Sequence, residues 1–78
     1  MKDEKRLARL RQSQASVSPE ELESILGDWG FELQSVSGSH RQYRHRTGEK
    51  LSIPYRRPLK PVYVRLALSA IDRARGTK

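Results

Sequence analysis

The sequence predicts an α+β domain of order α-β-β-β-α, in which a three-stranded antiparallel sheet carries two helices on one face. Three observations predict it. A capped helix start at Ser18 opens an apolar stripe, three short turn-bounded segments follow between Phe31 and Ile53, and Pro61 opens a second apolar stripe. Two helices flanking one meander cover a single face of the sheet and leave the other wet.

The elements follow in chain order. Residues 1–17 carry Leu7, Ala8, Leu10 and Val17 among charges, and propensity predicts a helix over Lys2–Gln14. Two leucines bury little, and the segment is too poor in apolar residues for a membrane-surface helix. It reads as a charged extension, partly helical or disordered, that docks on this domain or on a partner. The domain itself spans 18–75, and 76–78 form a tail. Ser18 can cap, Pro19 suits the first helical position, and Glu21 stands where a capping box needs it. Leu22, Ile25, Leu26 and Trp29 share one helical face, and Gly30 can take the left-handed conformation that ends the helix. Trp29 and Phe31 are expected in the core.

Phe31-Glu32-Leu33-Gln34 alternates apolar with polar, as a half-buried strand does. Residues 35–39 are turn chemistry, and His40–His45 is a second strand centred on Tyr43. Arg46-Thr47-Gly48-Glu49 makes a hairpin turn into Lys50–Ile53, which Pro54 ends. Pro54, Pro58 and Pro61 keep Tyr55–Lys60 extended. The last helix runs from Pro61 to about Arg75, with Val64, Leu68 and Ile71 at helical spacing beside Ala67, Ala70 and Ala74. Period-two alternation turns Phe31, Leu33, Tyr43, Leu51 and Ile53 toward the helices. It turns Glu32, Gln34, His40, Gln42, Arg44, Lys50 and Ser52 outward.

Composition narrows what the wet face can do. The chain has 78 residues, 32% charged, with no cysteine and a formal net charge of +7. Without cysteine there are no disulfides, thiolate zinc sites or Cys nucleophiles. Two histidines and no close Asp/Glu–His cluster point to no metal site and no cofactor. No apolar run reaches the ~18 residues of a membrane span and no signal peptide is evident, so a soluble cytoplasmic protein with no membrane partner is expected. The charge is uneven: residues 1–39 hold five basic and seven acidic side chains, residues 40–78 eleven basic and two acidic. A basic half on a small domain suits a polyanion, because neutralising phosphates releases condensed counterions. Arginine outnumbers lysine eleven to five, and its planar fork favours phosphate. An acidic protein partner is the competing explanation of the same charge, and a solubilising surface the bland one.

His40 stands directly after the Gly38-Ser39 turn, near Arg44 and the Arg56-Arg57 loop. His45, an odd number of residues on, faces away from it on a regular strand and reads as structural. Gly30-Phe31-Glu32-Leu33, then Ser37 through His45, Ser52-Ile53-Pro54 and Leu59-Lys60-Pro61 together resemble the HicA family of toxin endoribonucleases, over roughly Pro19 to Ile71. The resemblance implies a double-stranded-RNA-binding-domain-like fold, cleavage of messenger RNA, and catalysis by the histidine of the Gly-Ser-His turn, here His40. It also implies a HicB-like antitoxin partner. Two departures stand out. Tyr55-Arg56-Arg57 occupies the place after the Ile-Pro pair where members often carry a histidine, and the extension before Ser18 is longer than in minimal members.

RNA carries its own nucleophile, the 2′-hydroxyl, so a small nuclease can work by positioning, proton transfer and charge stabilisation. The expected roles are His40 as the proton-transfer group and Arg41, Arg44, Lys50, Arg56, Arg57 and Lys60 as RNA-binding cations. The alternative is a non-enzymatic double-stranded RNA-binding module. Against it, a Lys/Arg cluster is missing at the start of the second helix, where Lys60 stands alone. An adaptor for an acidic protein is the third reading.

Overall fold

At Ser18 the backbone is extended and the hydroxyl accepts the Glu21 backbone N–H at 3.0 Å, so the following helix begins capped, with Pro19 in its first turn. The computed structural model describes residues 4–14, 17–57 and 59–76. It comprises α1 (Glu4–Gln12), α2 (Pro19–Asp28), β1 (Phe31–Ser37), β2 (His40–His45), β3 (Lys50–Pro54) and α3 (Pro61–Arg75). The strands form one antiparallel sheet in the order β1-β2-β3, a small α+β domain consistent with the double-stranded-RNA-binding-domain-like fold that the resemblance implies. Lys2 of the expected first helix, Pro58 of the extended loop, and Thr77 and Lys78 of the tail lie outside the described residues.

The apolar stripes converge on one core. Leu22, Ile25 and Leu26 of α2, with Trp29 at its C-cap, meet Val64, Ala67, Leu68, Ala70 and Ile71 of α3 over Phe31, Tyr43, Leu51 and Ile53 of the sheet. Gly30 follows α2 with φ +90°, the left-handed region that favours glycine. A second constraint acts there: a Cβ on Gly30 would stand 2.8 Å from His45 Nε2. The His45 ring is 8% exposed and packs tilted on Phe31, with centroids 5.1 Å apart. Its Nδ1 accepts the Thr47 backbone N–H at 3.2 Å, which leaves the ring hydrogen of the neutral form on Nε2. His45 therefore belongs to the packing between β2 and the end of α2.

Three expectations need correction. The two leucines of the N-terminal extension, expected to bury little, lie in the common core at 2% and 4% exposure, because α1 docks on α3 beside the two expected helices. Arg6–Asp28 at 2.9 Å and the Arg11–Asp72 pair fasten α1 to α2 and α3. Strand β1 continues through Ser35, Val36 and Ser37, where turn chemistry was expected; pairing with β2 outweighs the weak strand preference of serine, and the turn shrinks to Gly38-Ser39. Leu33 pairs with Tyr43, yet it is 44% exposed: β1 is the margin of the sheet, and a period-two argument fixes a side chain's direction without supplying cover.

Pairing also contains a bulge. Leu33 faces Tyr43 and Ser35 faces Gln42, so Gln34 is an extra residue on β1. His40, Gln42 and Arg44 of β2 then share the face away from the helices with Ser35, Glu32, Ser52 and Lys50.

Candidate functional site

The Gly38-Ser39 turn is tight because Gly38 adopts φ +61°, and β2 starts immediately after it. His40 therefore sits at the end of the central strand, exposed, paired across to Ser37 and Pro54. The chain leaving β3 turns past this end toward α3, held by a bond from the Tyr55 backbone N–H to the Ser39 carbonyl. That course closes a small cavity of about 150 Å³ beside His40, lined by Pro54, Arg56, Leu59, Lys60 and Tyr63. Arg56 also donates to the Ser39 hydroxyl at 3.4 Å. One imidazole, two cationic side chains and a phenol thus border the same depression.

Farther along the open face, Arg44 and Lys50 stand opposite each other on neighbouring strands. Both are exposed, and no ion pair within the described residues engages either. Glu32 stands across from Arg44 on the same face without forming an ion pair, so both cations stay available to an anion.

Two of the residues expected on this surface are held elsewhere. Arg41 is inward by register and bonds Glu23 of α2 at 2.8 Å while stacking 3.8 Å above the Tyr55 ring. The same carboxylate accepts the Tyr43 hydroxyl at 2.9 Å. Burial, reinforced by that bond, pushes the Tyr43 phenol well above its ordinary value, so it stays a donor. Arg57 is paired with Glu20 in the first turn of α2. Glu20 is held below the usual carboxylate range, first by its own backbone N–H and then by Arg57. The structure thus brings Arg56 and Lys60 to His40, sets Arg44 and Lys50 along the same face, and ties Arg41 and Arg57 to the acidic start of α2. Tyr63 was not foreseen beside His40. Its place in the first turn after Pro61 was legible, but the approach of that turn to the start of β2 was not.

Among the described residues no cluster of three His, Asp or Glu side chains has the grouping of a metal site. No helix there is long and apolar enough to cross a membrane.

Fold and site define a class: a small, single-sheet α+β domain with a helical back, an open cationic front and one exposed imidazole at the end of its central strand. The family model of the HicA toxin of bacterial toxin–antitoxin systems matches residues 19–72, which is most of the chain. The chain belongs to the HicA family, whose members are the toxin half of a toxin–antitoxin pair. Helix α1 lies outside the matched span. No curated protein and no solved structure matches the chain.

Proposed function

We propose that this toxin is an endoribonuclease that cuts messenger RNA without a metal ion, with His40 as its proton-transfer group and a HicB-like antitoxin as its inhibitor. The observation that carries the reading is the exposed His40 ring at a cavity edged by Arg56 and Lys60, on a face whose remaining cations are unpaired. His40 takes the proton of a ribose 2′-hydroxyl, or delivers one to the leaving 5′-oxygen. The 2′-oxygen bonds to phosphorus as the bond from phosphorus to the 5′-oxygen breaks. Cleavage leaves a 2′,3′-cyclic phosphate and a 5′-hydroxyl, and the substrate supplies the nucleophile. Arg56 and Lys60 stabilise the charge gathering on the reacting phosphate, and Arg44 and Lys50 hold neighbouring phosphates. An inhibitor that covers this face matches it with acidic side chains.

The test is single-turnover cleavage of single-stranded RNA by His40→Ala. A positioned proton-transfer group contributes about 10²–10⁴-fold in rate, so cleavage and growth arrest should both disappear while the thermal midpoint stays unchanged. Cleavage near the unsubstituted rate, or stable duplex binding with no products from the unsubstituted protein, would overturn the reading.

A further inference from the structure

Between His40 and the far end of the sheet, the open face is not flat. A second depression of about 410 Å³ lies over the middle of the strands. It is lined by Gln34, Gln42, Ser52, Arg44 and Lys50, together with Tyr43 and Leu51, whose side chains are buried toward the helices. Two carboxamides and a hydroxyl here make no hydrogen bond to any described residue, although each offers both donors and acceptors. Side chains that only keep a surface soluble need no such convergence across three strands.

The β1 bulge sharpens the point. Without it Gln34 would oppose Gln42, and Ser35 would turn toward the helices. With it, Ser35 opposes Gln42 and Gln34 enters the same face as an added residue. The irregularity thus turns Ser35 outward as well and displaces Gln34 from direct pairing with Gln42, while Gln34 still lines the depression; bulges commonly re-aim side chains beside functional sites. Gln42 stands two residues from His40 on the same strand and face, about 7 Å along it. A strand of RNA reacting at His40 would lay an adjacent nucleotide there.

Aromatic rings give sequence-tolerant stacking platforms, but this face has none. Trp29, Phe31 and Tyr43 are buried, Tyr55 lies under Arg41, and Tyr63 stands at the His40 cavity. What remains is recognition of a base by its hydrogen-bonding edge. We infer that Gln34, Gln42 and Ser52 form a nucleobase subsite that reads one base of single-stranded RNA next to the cleaved linkage, with Arg44 and Lys50 on its phosphates. This rests on the ribonuclease reading for its ligand. A carboxamide pairs bidentately with adenine, so adenine is the base assigned to the subsite.

Binding can be measured without cleavage, using the full chain carrying His40→Ala and uridine hexanucleotides that contain a single adenine, cytosine or guanine. The adenine oligonucleotide should bind about 10-fold more tightly than the all-uridine one, the size of one bidentate base contact. Adding Gln42→Ala or Gln34→Ala should reduce that preference to about 2-fold or less and leave the salt slope of all-uridine binding, which reports phosphate contacts, unchanged. Equal binding of all four, or a preference that survives both substitutions, would overturn the subsite. A preference for another base erased by the same substitutions keeps the subsite and overturns adenine. Cleavage of the same oligonucleotides by the unsubstituted protein tests the nuclease reading separately: discrimination in binding with no cleavage removes that reading alone.

Discussion

The two sides of the sheet treat charge in opposite ways. On the helical side six arginines are matched to carboxylates: Arg6 to Asp28, Arg11 to Asp72, Arg41 to Glu23, Arg57 to Glu20, Arg73 to Glu49 and Arg75 to Glu4. Arg75 also lies 4.4 Å above the Trp29 ring. On the open side Arg44 and Lys50 have no such partner among the described residues, and Gln34, Gln42 and Ser52 between them have no side-chain bonds. The protein has enough carboxylates to answer several cations, and the fold uses them to fasten helices to one another and to the sheet. The net charge alone does not identify a binding face. Arg9 of α1 and Arg65 of α3 are also exposed without an ion pair among the described residues. It is the grouping of unpaired cations with polar side chains on one strand face that marks the open side.

The largest effect of a single substitution is expected at α1. Leu7 is fully buried in the shared core, so Leu7→Ala should cost about 2–5 kcal/mol in denaturant unfolding, a large part of the stability of so small a domain. A loss below about 1 kcal/mol would make α1 an appendage and remove the helical side's claim to be one packed unit. The open face should behave in the reverse manner. Replacing Arg44 and Lys50 together by glutamine should shift stability by no more than about 0.5 kcal/mol. It should also lower the salt slope of single-stranded RNA binding by about 1.4, roughly 0.7 for each lost phosphate contact. Arg73→Gln, on the helical side, should leave that slope unchanged. Equal slopes for both variants would erase the distinction between the two sides.

The smallest effect concerns the Arg11–Asp72 pair that closes α1 onto α3. The hydrogen bond from Arg11 lowers the Asp72 pKa, against a smaller opposing contribution from burial. A depressed carboxylate pKa stabilises the fold fully above the unfolded value of about 3.9 and loses that contribution as pH falls through the lower folded value. Because both side chains are partly solvated, Asp72→Asn should cost only about 0.2–1 kcal/mol at pH 7. Urea titrations at pH 7 and below pH 3 should show the two proteins converging in acid. A difference that persists or grows there would assign Asp72 some role other than this ion pair.

Much of the scaffold was readable from short stretches of chain. Ser18 and Pro19 start α2 because their chemistry acts within one turn, and Gly30 stops it through its own backbone freedom. The parity argument that separates His40 from His45 holds because strand pleating is local: His40 is exposed and His45 is buried against Phe31. The catalytic role given to His40 came from resemblance joined to that exposure. Periodicity alone would have left it an ordinary surface histidine.

Other features had no local signal. Leu7 and Leu10 are two leucines in a charged segment, and their value depends on a groove that α3 offers only after folding. Arg41 and Arg57 read as members of a basic patch until Glu23 and Glu20 are brought beside them from α2. Tyr63 and the Gln34 bulge are likewise products of how strands and the last helix meet. Capping, pleating and glycine freedom act over a few residues. The starts of α2 and α3, the three strands apart from the length of β1, and the outward direction of His40 could therefore be read along the chain. Which cations are neutralised, and which polar groups share a cavity, follows from how distant segments pack together. An ion pair such as Arg11–Asp72 joins positions 61 residues apart, and charge is felt through space rather than along the chain.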